Sequence, residues 1–331
     1  MKNATRFLSV IYAVSLIISC SMAWAKPVSF KFAHFAPPNE PAVICGQWVE
    51  EDLNKNAKDL VDCKYFHSAQ MGGTIEIVKK VSMGMLQGGF MTGNYAPDLS
   101  SKFGIGTLAY CMDTYKKWNA LIENRELRDE LYTSMLDKGI RVVDVTYFGV
   151  YGLATTKPVM KLDDLKKMKM RTTQARYPVA FWNAMGVNPV PLDWADVFPA
   201  IKQGVVDGTD QTAFVEDLRL ADLCKYFTRT NHMIGLTFFV VNEKWYQSLK
   251  PDVRDIIMKS ISSNFARERE QDMQLNDQMP ASLKAKGVQV IDLPAEEMTK
   301  FKDSQMKVWK ELEPEVGKEW LDKITKFTSN L

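Results

Sequence analysis

The chain lacks the local patterns by which most enzymes are recognised. It has 3 histidines in 331 residues, His34, His67 and His232, and each stands alone. No H-E-x-x-H, G-x-S-x-G or phosphate-loop pattern occurs, so zinc proteolysis, serine hydrolysis and P-loop nucleotide chemistry have no motif to rest on. Gly104-Ile-Gly106 lacks the third glycine of a dinucleotide loop. The 5 cysteines contain no C-x-x-C pair, which argues against zinc and thioredoxin-like redox sites. Acidic pairs such as Asp163-Asp164 and Glu296-Glu297 sit among lysines on helical segments and read as solvated faces. Internal repeats and Gly/Ser linkers are absent, and no stretch beyond residue 25 is apolar enough to span a bilayer.

What is present begins with a leader. Lys2 and Arg6 precede an apolar run from Phe7 to Ile18, and Ala23-Trp24-Ala25 forms a small-residue cleavage site before Lys26. Export with a cut after Ala25 is the expectation, which places the mature chain in the periplasm; an imperfect lipobox ending at Cys20 offers the alternative of a lipoprotein. Losing Lys2 and Arg6 takes 42 basic residues to 40, equal to the 40 acidic ones. A neutral mature chain disfavours nucleic-acid or membrane-surface binding by bulk charge. Cys45, Cys63, Cys111 and Cys224 remain after processing. They read as buried thiols or as a source of disulfides, with three pairings open.

About 300 mature residues at 46% apolar content suggest two domains. Val28 to Phe32 alternates as a half-buried strand, Pro41 opens a helix carrying Ile44, Trp48 and Leu53, and Val61, Cys63 and Tyr65 alternate again. A Gly72-Gly73 turn then precedes a helix through Val78, Val81 and Met85. The rhythm continues with a helix from Trp118 to Met135 and strands from Arg141 to Tyr147 and Lys169 to Thr173. Beyond Tyr177 come a helix, a strand from Asn188 to Leu192, a helix from Trp194 to Gln203, a strand from Val205 to Gly208 and a helix through Leu223. This alternation predicts an α/β fold with mainly parallel sheets. One long helix from Pro251 to Lys286, a strand from Val288 to Ile291 and two helices complete the chain.

The segment from Lys161 to Asp217 carries the functional signal. Leu165-Lys166-Lys167-Met168-Lys169-Met170-Arg171 leads from a short helix into a strand that presents an arginine. Gly186-Val187-Asn188-Pro189-Val190-Pro191 then leads to Trp194, and Gln203-Gly204-Val205-Val206-Asp207-Gly208 closes the unit. This order resembles the DctP family of TRAP-transporter solute-binding proteins. Phe32-Ala33-His34 before Pro37-Pro38, Ala69-Gln70-Met71-Gly72 and Thr155-Thr156-Lys157-Pro158-Val159 resemble further family segments, so the likeness covers nearly all of the mature chain.

The resemblance implies a type II periplasmic-binding-protein architecture, two α/β domains around a hinged cleft, here residues 26–148 with about 237–276 and residues 149–236 with about 277–331. It implies that Arg171 pairs with a ligand carboxylate, and the chemistry agrees, because a planar guanidinium grips a carboxylate or sulfonate through two parallel hydrogen bonds. It also places Trp194 over the ligand, Gln211 where relatives often carry Asn, Asp210 at a common Glu, and Thr92 and Asn94 on a ligand-facing loop. His34 and Gln70 complete the candidates. Other readings stand beside these: an ion pair for Arg171, a core position for Trp194, turn residues for Thr92 and Asn94. Where many relatives carry a second arginine in a G-x-R motif, Gly149-Val150-Tyr151 offers Tyr151, which can hydrogen-bond but cannot neutralise a second charge. A ligand with one strong acid group follows, either a hydroxy or oxo monocarboxylate or a small sulfonate, with Arg176 as a possible second cation. The expected partners are the small and large TRAP membrane permease subunits, with no cofactor, no metal and no catalysis, and the chain is expected to be a monomer. A module that reports to a sensor kinase and an enzyme acting on an organic acid are the alternatives.

Overall fold

The computed structural model describes residues 26–38, 40–212, 219–329 and 331; the leader and the Cys20 site lie outside them. The alternating residues of β1 (Val28–Ala33) and β2 (Val61–Phe66) pair in parallel, and β1 also pairs in parallel with β3 (Gly88–Thr92). Parallel neighbours need crossovers, supplied by α1 (Pro41–Asn56), which starts on a proline, and α2 (Thr74–Ser82). After α3 (Ala96–Leu99), the helix expected from Trp118 to Met135 is two, α4 (Tyr115–Glu123) and α5 (Arg125–Tyr132). The Asn124 side chain accepts from Leu127 N–H at 3.1 Å and starts the second one afresh.

β4 (Ile140–Thr155) runs 16 residues, well beyond the expected end at Tyr147. It is followed by α6 (Leu162–Leu165), β5 (Met170–Thr172), α7 (Arg176–Ala184), β6 (Val190–Pro191), α8 (Trp194–Lys202) and β7 (Gly208–Thr212). The strand expected at Val205–Gly208 thus begins where it was to end. Gly204 is left-handed at φ 71°, and the Val205 N–H turns back to the Ala200 carbonyl at 2.9 Å. The valines therefore finish the α8 cap instead of entering the sheet. Then come α9 (Leu220–Leu223), β8 (Tyr226–Arg229), β9 (Ile234–Asn242), α10 (Glu243–Ser248), α11 (Pro251–Ala285), β10 (Gln289–Asp292), α12 (Ala295–Val316) and α13 (Lys318–Thr328).

The strands are ordered β2-β1-β3-β9-β4-β7-β5-β6, with β8 on the far half of β4 and β10 on β8. The flanks are parallel, as the alternation predicts, but the centre is not: β9 is antiparallel to β3 and β4, and β4 to β7 and β8. β4 belongs to both halves of the sheet, since its first part pairs with β9 and its last part with β7 and β8. Each half is covered on both faces. Phe30, Phe32, Phe90 and Phe265 fill one side of the first half, and Phe103, Trp118 and Phe238 the other. Val197 and Phe227 lie on one side of the second half, and Leu153, Met170 and Trp182 on the other. Cys45, Cys63, Cys111 and Cys224 are all free and buried.

The crossing between β4 and β7 is tight. A Cβ built on Gly208 would stand 2.3 Å from the Ala154 carbonyl oxygen, a backbone atom that cannot swing away. Gly208→Ala should lower stability by about 1–3 kcal/mol, read as an earlier urea midpoint with an unchanged slope. An unchanged midpoint would mean that the two strands can separate freely.

Candidate functional site

Arg171 is set by strand register. β5 places it level with Val190 on β6 and Thr209 on β7. The chain leaving β6 is tied back twice: Leu192 N–H donates to the Thr172 carbonyl at 3.0 Å, and the Leu192 carbonyl accepts from Arg171 Nε at 3.0 Å and Nη2 at 2.7 Å. Arg171 is 6% exposed, yet forms no ion pair among the described residues. Its Nη1 donates to none of them and is not among the sealed, partnerless atoms. Trp194, the first residue of α8, lies with its ring centroid 5.8 Å from the guanidinium carbon, within the range of a cation–π contact.

Burial pulls the Arg171 guanidinium below its ordinary value, and Asp210, Tyr151, Tyr95 and Asp193 oppose that shift. A guanidinium starts so high that it stays charged at neutral pH. Asp210 is buried on β7, and desolvation lifts its carboxyl to about 6, with Arg171 as the main opposing influence. His232 Nε2 lies 4.0 Å from Asp210 Oδ2. The His232 ring stacks on Phe181 at 4.5 Å, meets Tyr151 edge-on at 5.8 Å, and places Nδ1 2.8 Å from the Thr230 hydroxyl. Burial drops its pKa to about 3, so the imidazole is neutral. Trp182 Nε1 belongs to the same buried cluster, near Asp210 but without a hydrogen bond of normal geometry.

Tyr151 and Asn94 share a narrow space with Phe148, Thr107 and Met233. Tyr95, next to Asn94, is half-buried; burial raises its phenol, Asp193 adds to that, and Arg171 counteracts it. Tyr95 therefore lies within electrostatic range of both Asp193 and Arg171. Sequence reasoning passed over Tyr95, Asp193, His232 and the Leu192 carbonyl. For Tyr95 a signal existed, since it directly follows the Thr92-Gly93-Asn94 loop. A backbone carbonyl leaves none.

The remaining candidates lie elsewhere or face other partners. Gln211 Oε1 accepts from the Thr212 N–H at 2.7 Å. Thr92 and Thr74 hydroxyls meet at 3.2 Å. His34 is buried between Phe35 and Phe90, its Nδ1 accepting from Ala36 N–H at 2.9 Å, and burial drops its pKa to about 3. Gln70 is exposed, in a turn whose Ser68 and Ala69 are left-handed. Arg176, considered as a second cation, is ion-paired with Glu315. Among the described residues, no cluster of three or more His, Cys, Asp or Glu side chains could hold a metal ion.

Asp210 has a measurable consequence. Its folded pKa, about 6, lies above the ordinary 3.8, so the folded protein binds the extra proton between those values. Its contribution to stability is therefore present at low pH and lost as pH rises from about 4 to 6. The stability of Asp210→Asn minus that of wild type should rise by about 3 kcal/mol across this window, measured by urea unfolding at pH 4 and pH 7. A difference that does not change with pH would contradict the burial of an unpaired carboxylate here.

Comparison with known proteins agrees with this architecture. The C4-dicarboxylate-binding periplasmic protein DctP of Rhodobacter capsulatus is 24% identical over 329 residues, covering 96% of each chain. A TRAP periplasmic solute-binding protein of Shewanella oneidensis with bound succinate superposes with a TM-score of 0.83 at 19% identity, covering 91% of this chain and 99% of that one. One from Ralstonia eutropha H16 with bound (S)-2-acetolactate gives 0.83 at 20% identity, covering 92% and 99%. The fold is the type II periplasmic-binding fold. No helix among the described residues is long and apolar enough to cross a membrane. The family described as "Bacterial extracellular solute-binding protein, family 7" matches residues 32–315, and the chain belongs to that family, DctP.

Proposed function

We propose that the protein captures a small organic acid with one strong acid group, a hydroxy or oxo monocarboxylate or a small sulfonate, and delivers it to the small and large subunits of a TRAP membrane permease. The observation that carries this reading is the half-used guanidinium of Arg171: two N–H groups are fixed on Leu192, Nη1 is left over, and the group lies against the Trp194 ring. The fixed half holds the plane still, so that the ligand meets a preorganised donor. Tyr151 favours a single charge on the ligand, because a phenol stands where a second arginine would, and Arg176 is already neutralised by Glu315. In this reading Asn94 and Tyr95, just after β3, receive the uncharged part of the ligand, and Asp210 supports the charge of Arg171.

In this reading residues 26–148 with about 237–276 form one lobe and residues 149–236 with about 277–331 the other, and the ligand stabilises the closed form by touching both. Only such differential contact can shift the balance between open and closed states. The chain is exported and cut after Ala25. The solved relatives with succinate and acetolactate support an acid as ligand, the second being a hydroxy-oxo monocarboxylate.

A thermal-shift screen of lactate, pyruvate, 2-acetolactate, isethionate and succinate tests this. A binder at 100 times its Kd should stabilise the protein by about 2.7 kcal/mol. Each charge-assisted hydrogen bond contributes about 1.5–3 kcal/mol, so Arg171→Ala should weaken the best binder at least tenfold. Equal affinity in the variant would remove Arg171 from the site, and a consistent preference for succinate would overturn the single-charge assignment.

A further inference from the structure

Helix α11 changes its packing partners half-way along. Val253, Ile257, Ile261 and Phe265 enter the core on one face of the first half-sheet, whereas Met279 and Leu283 enter a core of the second. Between these apolar stretches lie Glu268 and Asp272, each 1% exposed, and then Asn276. Their spacing of four residues sets all three on one face of the helix. The face meets β4 at the point where that strand leaves β9. From Tyr147↔Leu236 to Val150↔Ile234 the register shifts, with one more residue on β4 than on β9, a bulge that withdraws backbone groups from the ladder. Gly149 sits there at φ 93°, and a Cβ on it would lie 2.9 Å from the Thr212 Cβ.

The three side chains take up the N–H groups around the bulge. Glu268 Oε2 accepts from Tyr147 N–H at 3.1 Å, Asp272 Oδ2 from Gly149 N–H at 3.0 Å, and Asn276 Oδ1 from Val150 N–H at 3.2 Å. The Tyr115 hydroxyl also donates to Asp272 Oδ2, at 2.8 Å. One oxygen of each carboxyl, Glu268 Oε1 and Asp272 Oδ1, is buried without a partner, and burial pushes both groups upward, Asp272 to about 6. Two buried carboxyls with idle oxygens are a costly way to hold a strand if stability were all that mattered. An open pocket lined by Tyr115, Val150, Asn231, Asn276 and Pro280 reaches the same crossing from outside. The next residue on the strand is Tyr151, which shares a narrow space with Asn94 and lies within electrostatic range of Arg171.

We propose that Glu268, Asp272 and Asn276 are positioning residues for ligand capture: they clamp the β4 bulge, fix where Tyr151 stands relative to Arg171, and set how readily the two half-sheets turn about β4. The inference rests on the solute-binding reading above and adds to it a control point on the helix that bridges both cores. A strand that ran straight through would need no such acceptors. The bulge makes them necessary, and their bonds resist a change in the crossing angle.

The test uses the exported full-length protein and the tightest binder among lactate, pyruvate, 2-acetolactate, isethionate and succinate. Asp272→Ala and Asn276→Ala should remain folded, show at least tenfold weaker binding, and exchange the amide hydrogens of residues 147–150 faster than wild type. Asp272→Asn keeps an acceptor oxygen and should restore binding to within about threefold. Wild-type affinity in the folded alanine variants would overturn the proposal, as would an Asn variant no better than Ala. Should the alanine variants not fold, exchange at residues 147–150 in wild type decides: slowing on ligand addition supports the clamp, and no change overturns it. If none of the five acids binds wild type, the small-organic-acid reading fails instead, and this inference falls with it.

Discussion

A buried guanidinium must find acceptors for five N–H groups, and Arg171 has only one described carbonyl within reach. That carbonyl exists because β6 is two residues long and the chain turns back over β5 at Leu192, with its own N–H on Thr172. The parallel β5–β6 and β5–β7 pairings hold the arginine at this point, and the start of α8 brings Trp194 over it. In the proposed site the charge is fixed on one side by the Leu192 carbonyl and open on the other. Asp210 supports that charge without forming an ion pair with it, which in the proposed function leaves the open edge for an external acid.

The second constraint is continuity of the chain between the two half-sheets. β4 and β9 lie at the centre, and among the described strands β4 alone pairs with strands of both halves. The lobe rotation of the proposed function would be absorbed in β4 near its bulge and in α11, whose two ends are anchored in different cores. This arrangement explains how a polar stretch can be buried in the middle of a 35-residue helix.

Much of this was legible in the sequence, and the parts that were not share a physical reason. Arg171 and Trp194 stood out through the resemblance to the DctP family, which the ordered segments Leu165–Arg171, Gly186–Pro191 and Gln203–Gly208 carry. The parallel flanks showed as alternating strands and amphipathic helices. β9 did not, because Ile234 to Asn242 is buried on both faces and so lacks the alternation that marks a half-exposed strand. The β7 boundary shifted because Val205 and Val206 have strand-like side chains on a backbone already committed to a helix cap. Glu268 and Asp272 are hidden in a run rich in charge, where each reads as an exposed helix residue; only the β4 bulge makes them necessary. His232 looked isolated because Phe181, Tyr151 and Asp210, its partners besides the neighbouring Thr230, come from distant parts of the chain.

The account depends on the open edge of Arg171, and a crystal structure of the protein with its tightest-binding acid tests that directly. The acid group is predicted to accept from Arg171 Nη1 while Nε and Nη2 remain on the Leu192 carbonyl, with the Trp194 ring over it and the rest of the molecule toward Asn94 and Tyr95. An acid bound away from Arg171, or an Arg171 that leaves Leu192 to form a new pair elsewhere, would contradict it.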